Sequence, residues 1–274
     1  MLTAVNNNLV TIIIPCFNTV KYTRFCVDSI LAYTTTPYEL ILIDNGSADG
    51  TARYFQQLKK TIVVANENNL KRFEVILSKT NLGVAAALNR GIRISRGRYI
   101  CYLNNDVIVT KGWLEGLIRC AKSDKKIGVA GCSSNPGTNE RLFFTGCPMY
   151  KSMEDIQRTA IAVSMVRKDV YIDVELVHGL CMFIKRELIN KIGLFDERFY
   201  PCGREDIDYV VRAKRAGYRA VDAMDVYVFH FYNKSTTSKS FKKYYGHIDG
   251  ITETAINKLR TKMGKAPVVM SRGR

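Results

Sequence analysis

Four polar features interrupt or end apolar runs in this chain, and each carries residue types that can do chemistry. Asn104-Asn105-Asp106 splits the run from Tyr99 to Val109 and offers oxygen donors with one full negative charge. Mg²⁺ and Mn²⁺ take such ligands, usually one or two carboxylates together with substrate phosphates. Read in isolation, the same tripeptide is a polar turn. Glu205-Asp206-Ile207-Asp208 crowds three carboxylates into four residues at the start of a helical pattern. Neighbouring negative charges raise one another's pKa, which suits a general base. A helix dipole also favours acids in a first turn, so a plain terminal role fits the same residues. Asp44 ends an apolar run, where a carboxylate can accept hydrogen bonds from a base or ribose or can cap the turn. His230 closes Val226-Tyr227-Val228-Phe229, where an imidazole is either a metal ligand or a structural residue.

The elements that must position these groups follow from the spacing of apolar residues. Val10–Ile14 and Leu40–Ile43 are short, continuous, β-branched runs, as expected of strands buried on both faces. Val20–Tyr33 has helical spacing, and Asp49 or Thr51 can cap the helix after the Asp44–Gly50 turn. Phe73–Leu77 predicts a third strand, Leu82–Ser95 a helix and Tyr99–Leu103 a fourth strand. Such alternation implies a parallel sheet with helices on both faces and ligands beyond the carboxyl ends of the strands. Asp44, Asn81-Leu82-Gly83 and Asn104–Asp106 then converge on one crevice. Further on, Ile127–Gly131, segments within 171–184 and Val226–Phe231 read as strands, and Arg186–Ile192 and Glu205–Ala216 as helices; Ser133–Met149 reads as a loop.

Bulk properties bound the class. A chain of 274 residues, 47% hydrophobic and 24% charged, suits one large α/β unit with an appendage. No apolar run approaches the roughly 20 residues that span a bilayer, and the start lacks a signal-peptide pattern. The eight cysteines are therefore expected to be reduced and cytosolic, and none forms a C-x-x-C pair. The net charge is +16, and from Lys234 to Arg274 ten Lys/Arg stand against two acids. That excess attracts polyanions or simply solvates the surface; no nucleic-acid-binding module is recognisable.

The ordered series "VTIIIPCFN", "ELILIDNGSADGT", "SKTNLGVAAALNRGI", "YICYLNNDVIV", "GLCMFIKRELINKIGLFDERFYPCGREDIDYVVRAKRAGYRA" and "VFHF" resembles the family 2 glycosyltransferases of GT-A fold, nearest the bacterial rhamnosyltransferase-like and galactofuranosyltransferase-like branch. The resemblance covers roughly residues 9–232. It implies a mainly parallel Rossmann-like sheet as a catalytic domain over 1–232, with a basic helical extension over 233–274. It also implies inverting transfer of a sugar from a nucleoside-diphosphate donor, UDP- or dTDP-linked, to an acceptor hydroxyl of a glycan, lipid-linked or protein acceptor. By the same resemblance Pro15, Phe17, Asn18, Asp44, Asn81 and Gly83 adjoin the nucleotide. Asn104 and Asn105 border the nucleotide sugar, while Asp106 and His230 bind Mg²⁺ or Mn²⁺. His178 and Gly179 face the acceptor and donor sugar, and Asp206, with Glu205 beside it, is the catalytic base. Asn104 departs from the family's usual first aspartate, which puts more of the metal binding on His230.

Two other classes are weaker. A silent nucleotide-sugar-binding module has no need of Asp106, Asp206 and His230 together. A nucleotidyltransferase is expected to carry a Gly-rich basic loop near its start, which "IIIPCFN" is not. In the tail, Phe241, Tyr244, Tyr245, Ile248, Ile251, Ala255, Leu259 and Met263 follow helical spacing among lysines. This stripe packs on the catalytic domain or rests peripherally on an anionic membrane.

Overall fold

The apolar runs become the middle of one sheet. A computed structural model describes residues 8–65, 69–135, 150 and 152–231, and the extension over 233–274 lies outside them. The strands are β1 (Val10–Cys16), β2 (Tyr38–Asp44), β3 (Leu70–Leu77), β4 (Tyr99–Leu103), β5 (Val107–Ile108), β6 (Ile127–Ser134), β7 (Tyr171–Asp173), β8 (Cys181–Lys185) and β9 (Arg219–His230). Their order is β3-β2-β1-β4-β8-β6-β9-β5, with β7 also paired to β9. β1 to β4 are parallel, as expected. β8 runs antiparallel to both β4 and β6, and β9 is parallel to β6, so the second half of the sheet is mixed.

Side chains alternate between two cores with the period of two that a strand imposes. Ile12 and Ile14 face one core with Ile30 of α1 (Val20–Tyr33), Phe55 of α2 (Thr51–Ala65) and Leu117 of α4 (Trp113–Ser123). Ile13 faces the other with Leu88 of α3 (Val84–Ile94), Leu188 of α6 (Arg186–Ile192) and Tyr209 of α7 (Glu205–Arg215). Close approach of α3 to the sheet depends on Gly91, where an added Cβ would lie 2.7 Å from Ile13 Cγ2. α5 (Met153–Val166) packs separately on the last strands, with Ile156, Ala160 and Val163 against Ile108 and Tyr227.

Neither α4 nor α5 was expected from the sequence, and β9 begins seven residues before Val226. α5 nonetheless carries a local start signal. Ser152 accepts from the Asp155 N–H while Asp155 accepts from the Ser152 N–H, a reciprocal cap.

At the amino ends of the strands one buried acid ties several segments together. Glu39, 1% exposed, accepts hydrogen bonds from the Thr11 hydroxyl and from the N–H groups of Arg96 and Gly97. It also pairs with Arg72 at 3.1 Å. Removing one partner of a buried, hydrogen-bonded ion pair leaves the others unsatisfied. Glu39→Ala is therefore expected to lower unfolding free energy by about 3 kcal/mol, read from urea midpoints, with Glu39→Gln losing less because it keeps an acceptor oxygen.

Candidate active site

Three loops at the carboxyl ends of β1, β2 and β3 are stitched into a frame. Asn18, in a left-handed conformation (φ 52°), donates its N–H to Ser47 Oγ and accepts from the Ala48 N–H at 2.7 Å. Asp44 accepts from the Ser47 N–H at 3.0 Å, and burial raises its pKa against the lowering effect of the Ser47 hydrogen bonds. Asp49 bridges two helix starts by accepting from the Val20 N–H and from both the N–H and hydroxyl of Thr51. The Asn45 amide donates to Asn81 Oδ1 at 2.8 Å and to the Gly83 carbonyl, and accepts from the Leu82 N–H. Gly83 has φ 86°, and a Cβ there would come within 3.0 Å of the Pro201 carbonyl oxygen. The next residue, Val84, donates its N–H to that same oxygen at 2.8 Å.

This frame borders a crevice of about 490 Å³. Pro15, Phe17 and Asn81 line one side, Asn104–Asp106 another, and His178, Gly179, Glu205, Asp206 and His230 the rest. Most of the residues singled out in the sequence thus share one cavity. Asn18, Asp44 and Gly83 do not line it; they build the frame around it. Asn105 reaches the cavity, yet its amide donates to the hydroxyls of Thr19 and Thr23 at 2.8 Å for the latter, which anchors the turn to α1.

Asp106 and His230 meet across the β5–β9 pair. His230 Nε2 lies 2.9 Å from Asp106 Oδ1, with both residues buried. That separation matches neighbouring ligands on one octahedral ion, which stand about 3 Å apart for bonds near 2.1 Å. A carboxylate and an imidazole supply two ligands and leave positions for phosphate oxygens and water; no group of three His, Cys, Asp or Glu that could hold a metal occurs among the described residues. The donor set fits a divalent cation shared with a substrate. Asn104 Oδ1 accepts from the Tyr102 hydroxyl at 3.0 Å.

The acidic start of α7 divides into three environments. Glu205 is 5% exposed and accepts from the Gly203 N–H at 2.6 Å. Burial, and then the Asp206 charge, push its pKa up to about 8, so it is largely protonated near neutrality. Asp206 accepts from the Gly179 N–H at 2.9 Å and from the Ile207 N–H at 2.8 Å. Asp208 does not join them: it pairs with Arg212 at 2.9 Å. The expected mutual crowding of three carboxylates is thus corrected to a pair, because the i to i+4 geometry gives Asp208 its own guanidinium. Burial holds the His178 imidazole below its ordinary pKa, against the pull of Asp206.

Comparison with known proteins bears on this arrangement. The sequence model described as "Glycosyl transferase family 2" matches residues 11–193. The chain belongs to glycosyltransferase family 2. It is 25% identical over 223 residues to glycosyltransferase AglE of Haloferax volcanii, covering 81% of this chain and 66% of AglE. It is 32% identical over 198 residues to glycosyltransferase GlyG of Streptococcus pneumoniae, covering 72% of this chain and 62% of GlyG. The family 2 chain therefore spans somewhat under two thirds of the length of these relatives. In fold it resembles the mannosyltransferase PcManGT from Pyrobaculum calidifontis, solved with GDP-Man and Mn²⁺, with TM-score 0.60 at 20% identity over 86% of this chain and 59% of that one. It also resembles GalNAc-T7, solved with UDP, GalNAc and Mn²⁺, with TM-score 0.64 at 16% identity over 95% of this chain and 55% of that one. The α/β sheet flanked by helices is the GT-A fold.

Several wall residues of this family 2 site were not singled out from the sequence. Tyr102 stands among Glu205, Asp206 and Asp106, and burial followed by those charges pushes its phenol well above the ordinary value. Within "YICYL" it reads only as a core aromatic. Cys202 and Arg204 also line the crevice, where "YPCGR" reads as a turn. The Tyr102 ring explains Gly179, whose added Cβ would lie 2.6 Å from the ring.

Gly179→Ala is expected to displace Tyr102 and to cost about 2 kcal/mol of stability, as overpacking does, measured by thermal and urea unfolding. A second expectation follows from Glu205. Its folded pKa is raised, so the native state holds a proton that the unfolded chain gives up. Its contribution is full below the ordinary carboxylate pKa and is lost as pH rises toward about 8. Glu205→Gln should therefore gain stability relative to the parent on going from pH 5 to pH 8, read from paired urea midpoints.

Proposed function

We propose that this family 2 chain transfers a sugar, with inversion, from a nucleoside-diphosphate sugar to an acceptor hydroxyl. The observation that carries the reading is the convergence of the Asp206 carboxylate and the Asp106–His230 pair on one crevice. The GDP-Man, UDP and Mn²⁺ with which two fold neighbours were solved support a nucleotide-sugar donor and a divalent metal, Mg²⁺ or Mn²⁺. Residues 1–232 serve as the catalytic domain, in a cytoplasmic setting, and build a glycan or other glycoconjugate. Peripheral membrane contact through residues 233–274 belongs to the same proposal. No helix among the described residues is long and apolar enough to cross a membrane.

Asp106 and His230 would hold the metal, which when bound offsets charge on the leaving diphosphate. The protein's own groups do the rest. Asp206, oriented by the N–H groups of Gly179 and Ile207, accepts the proton of the attacking hydroxyl. Glu205, already protonated, does not compete for it and limits the negative charge facing the donor. Pro15, Phe17 and Asn81 enclose the nucleotide side, Asn104 and Asn105 edge the donor, and His178 with Gly179 borders the reacting sugar. Asn18, Asp44 and Gly83 act in this reading through the frame loops, with Asp44 at the base. Fixed placement of both substrates makes the encounter effectively unimolecular.

A panel of UDP-, dTDP- and GDP-sugars with Mn²⁺ tests the assignment by release of nucleoside diphosphate. Asp206→Asn keeps a hydrogen-bond acceptor for Gly179 but loses the base. It is expected to turn over at least about 100-fold more slowly while binding the donor as the parent does. Near-parental turnover would remove Asp206 from this role.

A further inference from the structure

Among the described residues, Arg204 is the only one lining the crevice with a permanent positive charge. It immediately precedes Glu205 and Asp206 and is part-buried. Among the described residues its guanidinium is engaged by no hydrogen bond or ion pair. In the same stretch of sequence Arg198 pairs with Asp196 and Arg212 with Asp208. The adjacent carboxyls are committed elsewhere as well, Glu205 to the Gly203 N–H and Asp206 to the N–H groups of Gly179 and Ile207. A charged group drawn partly out of water normally gains a partner, and the described residues supply none.

We propose that Arg204 receives an anionic group of the acceptor, a phosphate or a carboxylate, held close to the hydroxyl that Asp206 deprotonates. The inference rests on the glycosyltransferase reading and names the acceptor's chemical class. A guanidinium presents a planar fork that matches both groups through two parallel hydrogen bonds. Arg204 immediately precedes Glu205 and Asp206 at the start of α7, and in this proposal the anion belongs to the acceptor whose hydroxyl Asp206 deprotonates. The charge of Arg204 also reaches His178 and Glu205, lowering the pKa of both, so an anion there lies in the field of the site.

The test is calorimetric titration of the full chain, saturated with UDP and Mn²⁺, with glucose 6-phosphate, glucuronate and glucose. Parent, Arg204→Gln and Lys168→Gln are compared; Lys168 is exposed on another surface and controls for the general attraction of a +16 chain to anions. Expected is at least about tenfold tighter binding of glucose 6-phosphate, glucuronate or both than of glucose. Arg204→Gln should erase this preference, Lys168→Gln should keep it, and UDP affinity should be alike in all three. The two charged sugars tell phosphate from carboxylate. Equal binding of charged and neutral sugars, absence of binding by both charged sugars, or an equal effect of the two substitutions would overturn the proposal. Weakened UDP binding in Arg204→Gln with an intact sugar preference would overturn it too, by assigning Arg204 to the donor. Failure of the glycosyltransferase reading shows elsewhere, as absence of nucleotide-sugar turnover across the donor panel.

Discussion

Asp106 and His230 are 124 residues apart in the chain and 2.9 Å apart in space, and two strand pairings hold them there. Val107 is paired with His230 across β5 and β9, and the Phe231 N–H donates to the Asp106 carbonyl at 2.9 Å. β9 is fixed in turn by its parallel pairing to β6. The regular first half of the chain builds a frame of loops at the ends of parallel strands. The irregular second half returns to that frame through β8, whose antiparallel pairing with β4 sets Cys181 opposite Leu103. Leu180, just before it, accepts the Asn104 N–H at 3.0 Å. His178 and Gly179 follow from this register, since they enter the crevice only because β8 starts where β4 ends.

The electrostatics of the crevice depend on the same geometry. Two adjacent carboxyls at the start of α7 experience different surroundings. Glu205 is buried against Cys202 and Tyr102 and keeps its proton to about pH 8. Asp206 takes two backbone N–H groups and faces the cavity. Burial favours the neutral form of a carboxyl, so Glu205 is held protonated while its neighbour, one residue on, faces the cavity.

What the sequence could show follows the range of the interactions involved. β1, β2 and β4 were legible because both of their faces are apolar, and the Asp44–Gly50 turn because its residue types have few other uses. The convergence of Asp44, Asn81 and Asn104–Asp106 on neighbouring loops followed from parallel topology alone. The first seven residues of β9 escape the sequence pattern because Asp222 and Asp225 break its apolar run. Both are buried: Asp225 is met by Arg119 and by the Asp169 N–H, while burial pushes the pKa of Asp222 up to about 7. Those partners are distant in sequence, so no local pattern announces them. α4 does carry a stripe at Trp113, Leu117 and Ala121 that a closer reading of period would have found. The antiparallel course of β8 has no local signature.

Tyr102 shows why a site cannot be read wholly from residue types that do chemistry. It lies within a strand, on a face that packs against Phe195 and Gly179. Its hydroxyl is nevertheless committed to Asn104 Oδ1. That single bond turns the Asn104 oxygen toward a donor and away from the role of a second carboxylate, since an amide oxygen already accepting a hydrogen bond is a poorer cation ligand than a free aspartate. The substitution of Asn for Asp at this place and the presence of a phenol beneath it are therefore one feature. Together they leave Asp106 and His230 as the groups whose spacing suits a metal, and that spacing is set by the register that joins β5 to β9.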